Sequence, residues 1–125
     1  MIAFEIPGHI RSKTNARGHW ATRAKVAKLQ RQHGRYSVTA AFRSANRPDP
    51  GKWLASIQPG WVEIWFVRIS PRALDDDNLR DALKSVRDGV ADAFGLADND
   101  ARFSFRYSQR RGTPTRLLIT IAELH

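Results

Sequence analysis

Apolar and polar positions alternate over MIAFEIPG and stop at Pro7-Gly8, which predicts a strand over residues 2–6. Residues 8–17, GHIRSKTNAR, read as a basic loop. From about Gly18 to His33, the spacing of Trp20, Ala24, Val26 and Ala27 predicts a helix with a thin apolar stripe. Gly34 interrupts that pattern, and roughly Tyr36 to Ala45 predicts a second helical stretch leaving in a new direction. Residues 47–60, RPDPGKWLASIQPG, are rich in Pro and Gly and read as a surface loop. WVEIWFVRIS, 61–70, is the clearest strand. Its alternation places Val62, Ile64, Phe66 and Arg68 on one face and Trp61, Glu63, Trp65, Val67 and Ile69 on the other. Both faces are largely apolar, so a central strand is expected.

After Ser70-Pro71, Leu79, Leu83, Val86, Val90 and Phe94 recur at helical spacing and predict a helix from about Asp76 to Phe94, ended by Gly95. LADND, 96–100, reads as a turn. ARFSFRYSQ and TRLLITIAE then read as two strands joined by RRGTP, a hairpin. The order β, α, α, β, α, β, β predicts one α+β domain over residues 1–125. Its mixed or antiparallel sheet of about four strands would be packed with two to three helices. No internal repeat or long linker divides the chain.

Composition narrows the chemistry. Hydrophobic residues make up 42% of the 125, four of them Trp, which is enough for a core. There is no cysteine, which excludes disulfides, thiolate zinc sites and cysteine nucleophiles, and fits a reducing cytosol. No apolar run follows a basic start, so no secretory signal is expected. No window approaches the 18 apolar residues of a membrane span. A basic amphipathic segment lying on anionic lipid is a distant reading, because it leaves the distribution of acidic residues unexplained.

That distribution is uneven. The net charge is +9, yet eight of the 12 acidic residues fall between 75 and 100: Asp75, Asp76, Asp77, Asp81, Asp88, Asp92, Asp98 and Asp100. Conversely, Arg11 to Arg47 holds ten basic residues and no acidic one. A solvated helix usually mixes signs, so this segment reads as a phosphate-tracking surface. Arg11, Lys13, Asn15, Arg17, His19, Arg23, Lys25, Lys28 and Arg31 are its candidate DNA contacts. A lone His at a helix start is nonetheless more often structural or on the surface.

The acidic run LDDDN, 74–78, opens the helix that follows the central strand. A single Asp there is explained by capping, since its oxygens accept orphan N–H bonds. Three in a row exceed that need. Two carboxylates about 4 Å apart repel by roughly 4 kcal/mol at an effective dielectric of 20, and a divalent cation offsets this. Hard oxygen donors without thiolate point to Mg²⁺ or Mn²⁺. Asp98 or Asp100 is a third ligand if the turn returns to the helix start, and Asp81, one turn after Asp77, is a rival. A metal inside a basic surface points to phosphodiester hydrolysis.

The run Asp75-Asp76-Asp77-Asn78, a helix, and then a second acidic turn resembles the RusA-type Holliday-junction resolvases. These are small, dimeric, Mg²⁺-dependent endonucleases, often encoded by phages and prophages. The resemblance covers most of the chain, including the opening strand into IPG, the Asn15 and His19-Trp20 region, the central strand into the aspartates and the closing hairpin. It implies that Asp75 and Asp77 hold the metal, with Asp100 as third catalytic aspartate and Asp98 as second choice. It implies a homodimer acting on four-way DNA junctions in the cytoplasm of a bacterial or phage-infected cell. The family's catalytic lysine falls at Asp81, a departure, and Lys84, one turn further along, is the substitute candidate. That departure motivates a second expectation, a branched-DNA-binding protein that has lost catalysis; a nuclease of broader flap and fork range is a third. Trp20, Trp61 and Trp65 read as core or dimer interface, and Trp53 as a loop residue able to stack on a base.

Overall fold

The structure is a computed structural model that describes residues 1–8, 20–57 and 61–124. In chain order the elements are β1 (Ile2–Pro7), α1 (Trp20–Ser44), α2 (Pro50–Ser56), β2 (Trp61–Ser70), α3 (Asp76–Phe94), β3 (Phe103–Arg111) and β4 (Arg116–Leu124). This is a small α+β fold, a four-stranded mixed sheet with three helices among the described residues. The strands lie in the order β1-β4-β2-β3. β4 runs antiparallel to both β1 and β2, whereas β2 and β3 are parallel. A parallel pair needs a crossover, and α3 supplies it.

β2 is central, as its doubly apolar pattern predicts. Val62, Ile64 and Phe66 are buried on the face that packs against the helices, with Ile2, Ile6, Leu117, Ile119 and Ile121 from the neighbouring strands. Leu79, Leu83, Val86, Val90 and Phe94 of α3 and Val38 and Phe42 of α1 close this core. On the other face Trp61 and Trp65 remain 47% and 40% exposed, outside the core, and Trp65 donates its indole N–H to Ser108.

Three sequence expectations need correcting. First, the chain does not turn at Gly34: α1 is one helix of 25 residues. Gly34 is there for proximity, because a Cβ on it would stand 2.6 Å from the Val86 carbonyl oxygen of α3. Gly89 of α3 does the same from the other side, with a Cβ position 1.9 Å from the Arg31 carbonyl oxygen. Second, the 47–60 segment contains α2. Asp49 caps it through Gly51 N–H, and Pro50 takes the first helical position, where the missing N–H costs nothing. Trp53 is therefore no stacking platform; it is 7% exposed and meets Phe42 edge-on at 5.3 Å. Third, β3 and β4 form no hairpin, because β2 lies between them and the RRGTP connection passes its end.

Among the described residues no helix is long and apolar enough to cross a membrane. Arg11, Lys13, Asn15, Arg17 and His19 lie outside the described residues.

Candidate functional site

α3 begins where β2 ends, so the acidic run stands at the carboxyl end of the central strand. Asp75 is the N-cap. Its Oδ1 accepts the Asn78 backbone N–H at 2.9 Å and its Oδ2 the Asn78 side-chain amide at 3.1 Å. Asp76 and Asp77 occupy the first turn and are exposed, where the helix dipole favours negative charge. The residue before the cap is held by Gln109 of β3, which donates to the Leu74 carbonyl at 2.6 Å and accepts its N–H at 2.8 Å. A single side-chain amide thus satisfies both backbone groups of Leu74 and ties the start of the acidic run to the sheet.

Beside this connection is a concentration of positive charge. Arg68, near the end of β2, is only 4% exposed. Its Nη1 donates to the Arg72 carbonyl at 2.8 Å and, at a long 3.5 Å, to Gln109 Oε1. Its Nε is buried without a hydrogen-bond partner, and among the described residues no carboxylate pairs with it. Burial holds its pKa below the ordinary guanidinium value. Arg68, Ser70, Arg72, Ala73, Gln109, Arg110 and Arg111 line a cleft of about 70 Å³ here.

The second acidic turn is elsewhere. The parallel β2–β3 register sets Val62 opposite Phe103, and Val62 N–H donates to the Arg102 carbonyl at 2.8 Å. The 96–102 turn therefore sits at the start of β2, and Asp75–Asp77 sit beyond its end. Ten strand residues at about 3.3 Å, or 19 helix residues at about 1.5 Å, put roughly 25–30 Å between the two groups. The return of LADND to the helix start does not occur within one chain. Asp98 instead pairs with Arg87 at 2.8 Å, and Arg102 grips Asp100 through Nε at 3.0 Å and Nη2 at 3.1 Å. The Arg102 side-chain and backbone bonds lower the Asp100 pKa. Among the described residues no three acidic or histidine side chains gather as a metal-holding group.

Lys84 is exposed and lies 3.5 Å from Asp88, one turn toward the helix C-terminus and away from Asp77. Asp92 does not face solvent freely either. Arg31 of α1 binds it through Nε at 2.6 Å and Nη2 at 2.9 Å, which lowers its pKa. Arg31 is thereby a helix-to-helix strut as well as a candidate DNA contact. Arg23, Lys25 and Lys28 are exposed along α1. The residues that sequence reasoning missed are Arg68, Arg72, Gln109, Arg110 and Arg111. A signal was present for the first: Arg68 shares a strand face with Val62, Ile64 and Phe66, so the alternation assigns a charge to a core position.

No protein-family model matches the chain. It is 36% identical over 88 residues to an uncharacterised protein of Xylella fastidiosa (strain Temecula1 / ATCC 700964). That match covers 67% of this chain and 51% of the relative, so the chain spans about half the length of the curated relative it matches.

Proposed function

We propose that the protein is a metal-dependent endonuclease that acts on branched DNA and resolves four-way junctions as a homodimer, in keeping with its resemblance to the RusA-type resolvases. The observation that carries the reading is the placement of exposed Asp76 and Asp77, with the Asp75 cap, at the end of β2 beside a cleft lined by four arginines. Carboxylate next to concentrated guanidinium is the charge pattern that hydrolysis of a phosphodiester needs, with cations to hold the polyanion and hard oxygens to hold a divalent ion.

The donor set fits Mg²⁺ or Mn²⁺ in kind, and it is incomplete in one chain among the described residues. Asp75 and Asp77 would hold the ion, with Asp81 the nearest rival ligand along the helix and Asp98 or Asp100 available only from a second copy. Such an ion supplies an activated water and neutralises developing charge on the phosphate. Each Asp75 oxygen accepts one bond from Asn78 and keeps a further lone pair, so the cap would orient the carboxylate toward an ion without using up its donor capacity. The exposed cations of α1, Arg23, Lys25 and Lys28, would hold the DNA arms by charge. Two symmetric cuts call for two copies of the site.

A second reading has its own observation. Asp98 and Asp100 are both neutralised by arginines of the same chain, and Lys84 points its charge at Asp88. This favours a branched-DNA-binding protein without catalysis. Cleavage of a labelled four-way junction, beside linear duplex and a flap, with Mg²⁺, Mn²⁺ or EDTA, separates the two. Paired metal-dependent nicks on the junction, lost in Asp77→Asn while binding survives, support the nuclease. Tight binding with no cleavage in either metal sinks it, and equal cutting of junction, flap and fork replaces it with a broader nuclease.

A further inference from the structure

A buried charge without a counter-charge is costly even after relaxation, so its persistence points to a compensating ligand. Arg68 is such a charge. It is 4% exposed, its Nε has no partner, and no described carboxylate pairs with it. Its bond to the Arg72 carbonyl braces the connection after β2, and that bracing leaves the charge itself uncompensated. The groups it does touch are a carbonyl and an amide oxygen, which solvate a guanidinium without neutralising it.

The surroundings are built for an anion. Arg68, Arg72, Arg110 and Arg111 all line the one cleft, and no acidic side chain does among the described residues. Ser70 adds a hydroxyl, 3.4 Å from that of Thr115. Gln109 braces the cleft wall through its two bonds to Leu74. The volume, about 70 Å³, admits a small oxyanion rather than only a single water. A guanidinium presents a planar fork of donors that matches phosphate oxygens, which is why arginine is preferred where phosphate is gripped.

We propose that this cleft is a phosphate-binding site in which Arg68 is the buried anchor and Arg72, Arg110 and Arg111 are the outer clamps. Its occupant is a phosphate group of a DNA strand, an assignment that rests on the nucleic-acid reading above, whereas the affinity for phosphate does not. The cleft adjoins Leu74, so a phosphate seated in it fixes where the strand passes the acidic run. Arg68 is a positioning residue in that role.

The test uses the full chain in EDTA, so that metal-dependent cleavage plays no part. Thermal melting is followed while sodium phosphate is titrated against sodium chloride at equal ionic strength, for wild type, Arg68→Met and the exposed pair Arg110→Ser with Arg111→Ser. Because phosphate also stabilises folded proteins generally by exclusion from their surface, the expected result is a rise in wild type beyond the chloride control that saturates and exceeds the rise in both variants. Arg68→Met is expected to melt higher without phosphate, having lost an uncompensated charge, and to bind phosphate at least tenfold more weakly. A phosphate effect equal to that of chloride in wild type, or undiminished in Arg68→Met, overturns the site. If Arg68→Met fails to fold, the exposed pair decides, because unchanged phosphate affinity there also overturns it. Competition by a short oligonucleotide identifies the source. A 5′-phosphorylated strand outcompeting its 5′-hydroxyl form marks a terminal phosphate, and equal competition marks a backbone phosphate. No competition by either overturns the DNA assignment and leaves free phosphate as the ligand. Because none of these arms requires cutting, a failed phosphate site and a failed nuclease reading give different results.

Discussion

Replacing Gly89 by Ala tests how closely α1 and α3 cross. Both helices place a glycine at the contact, and the added Cβ at 89 would lie 1.9 Å from the Arg31 carbonyl oxygen, 2.8 Å from its carbon and 3.0 Å from the Arg35 nitrogen. An ordinary C···O approach is about 3.3–3.6 Å. The backbones must therefore part by roughly 1.5 Å, and no side-chain rotation relieves a clash with main chain. Overpacking costs about 1–3 kcal/mol, and a main-chain obstacle puts this case at the upper end. Ala returns about 1 kcal/mol through its better helix propensity. The net loss is about 2 kcal/mol. At about 2.1 cal/mol/K per residue over 125 residues, the melting temperature falls by about 8 °C. Circular dichroism melts measure the drop, and hydrogen exchange locates it in both α1 and α3. Gly95→Ala is the control, since φ is 75° there with nothing within 4 Å, so it costs about 1 kcal/mol through backbone strain alone and loosens only the end of α3. A Gly89→Ala protein that melts at or above the wild-type temperature would refute the close crossing.

Other substitutions probe single interactions. Asp75→Ala removes the cap of α3 and is expected to cost about 1 kcal/mol in denaturant melts; Asp75→Asn keeps the cap and, on the proposed nuclease reading, is expected to abolish junction cleavage, so stability and activity would separate at one position. Trp53→Ala opens a hole beside Phe42 and Phe94 and is expected to cost about 3–5 kcal/mol, read by the same melts. The folded Asp92 carboxyl titrates below its unfolded value of about 3.9, so its pairing with Arg31 stabilises fully above that pH and is lost as pH falls through the lower, folded value. With Arg31 half-exposed the loss is under about 1 kcal/mol, and acid unfolding of Asp92→Asn should show that part missing. On the proposed nucleic-acid reading, neutralising Arg23, Lys25 and Lys28 together is expected to flatten the salt dependence of DNA binding, by about one unit of log–log slope for each phosphate no longer engaged, measured by anisotropy across salt concentrations.

Where local rules and tertiary packing agree, the sequence was readable. The strand over 61–70 and the helix over 76–94 match their periodicities, and Gly95 ends the helix in the left-handed region. Gly34 misled because a helix breaker by propensity can also be the residue that lets a second helix approach, and only the partner reveals which. The 47–60 segment misled because Asp49-Pro50 is both loop chemistry and the start of a helix. The hairpin failed for a topological reason: adjacency in sequence does not say whether another strand will take the place between. The site divided along the same line. The acidic run and its cap position could be located from residues alone. The separation of Asp75 from Asp98 and Asp100 follows from the parallel register of β3, which no local pattern encodes. Arg68 was visible as an anomaly and became interpretable only when its lack of a partner was known.

The place of β4 between β1 and β2 has a consequence for how the chain is made. β1 leaves the ribosome before the other elements and, among the described residues, pairs only with β4, through neighbours such as Ile2 and Ile121. At roughly 5–20 residues per second, the interval between synthesis of Pro7 and of Arg116 is on the order of 5–20 s. Through that time residues 2–7 lack the described strand they join, and Ile2 and Ile6 lack their place in the sheet. The basic helix and the acidic run are both synthesised before the sheet that holds them in place can close. On the nucleic-acid reading, the nascent chain is thus a cationic polymer without an assembled site, free to meet DNA by charge but not to act on it. On that reading the site is assembled only after residues 116–124 take their place between β1 and β2.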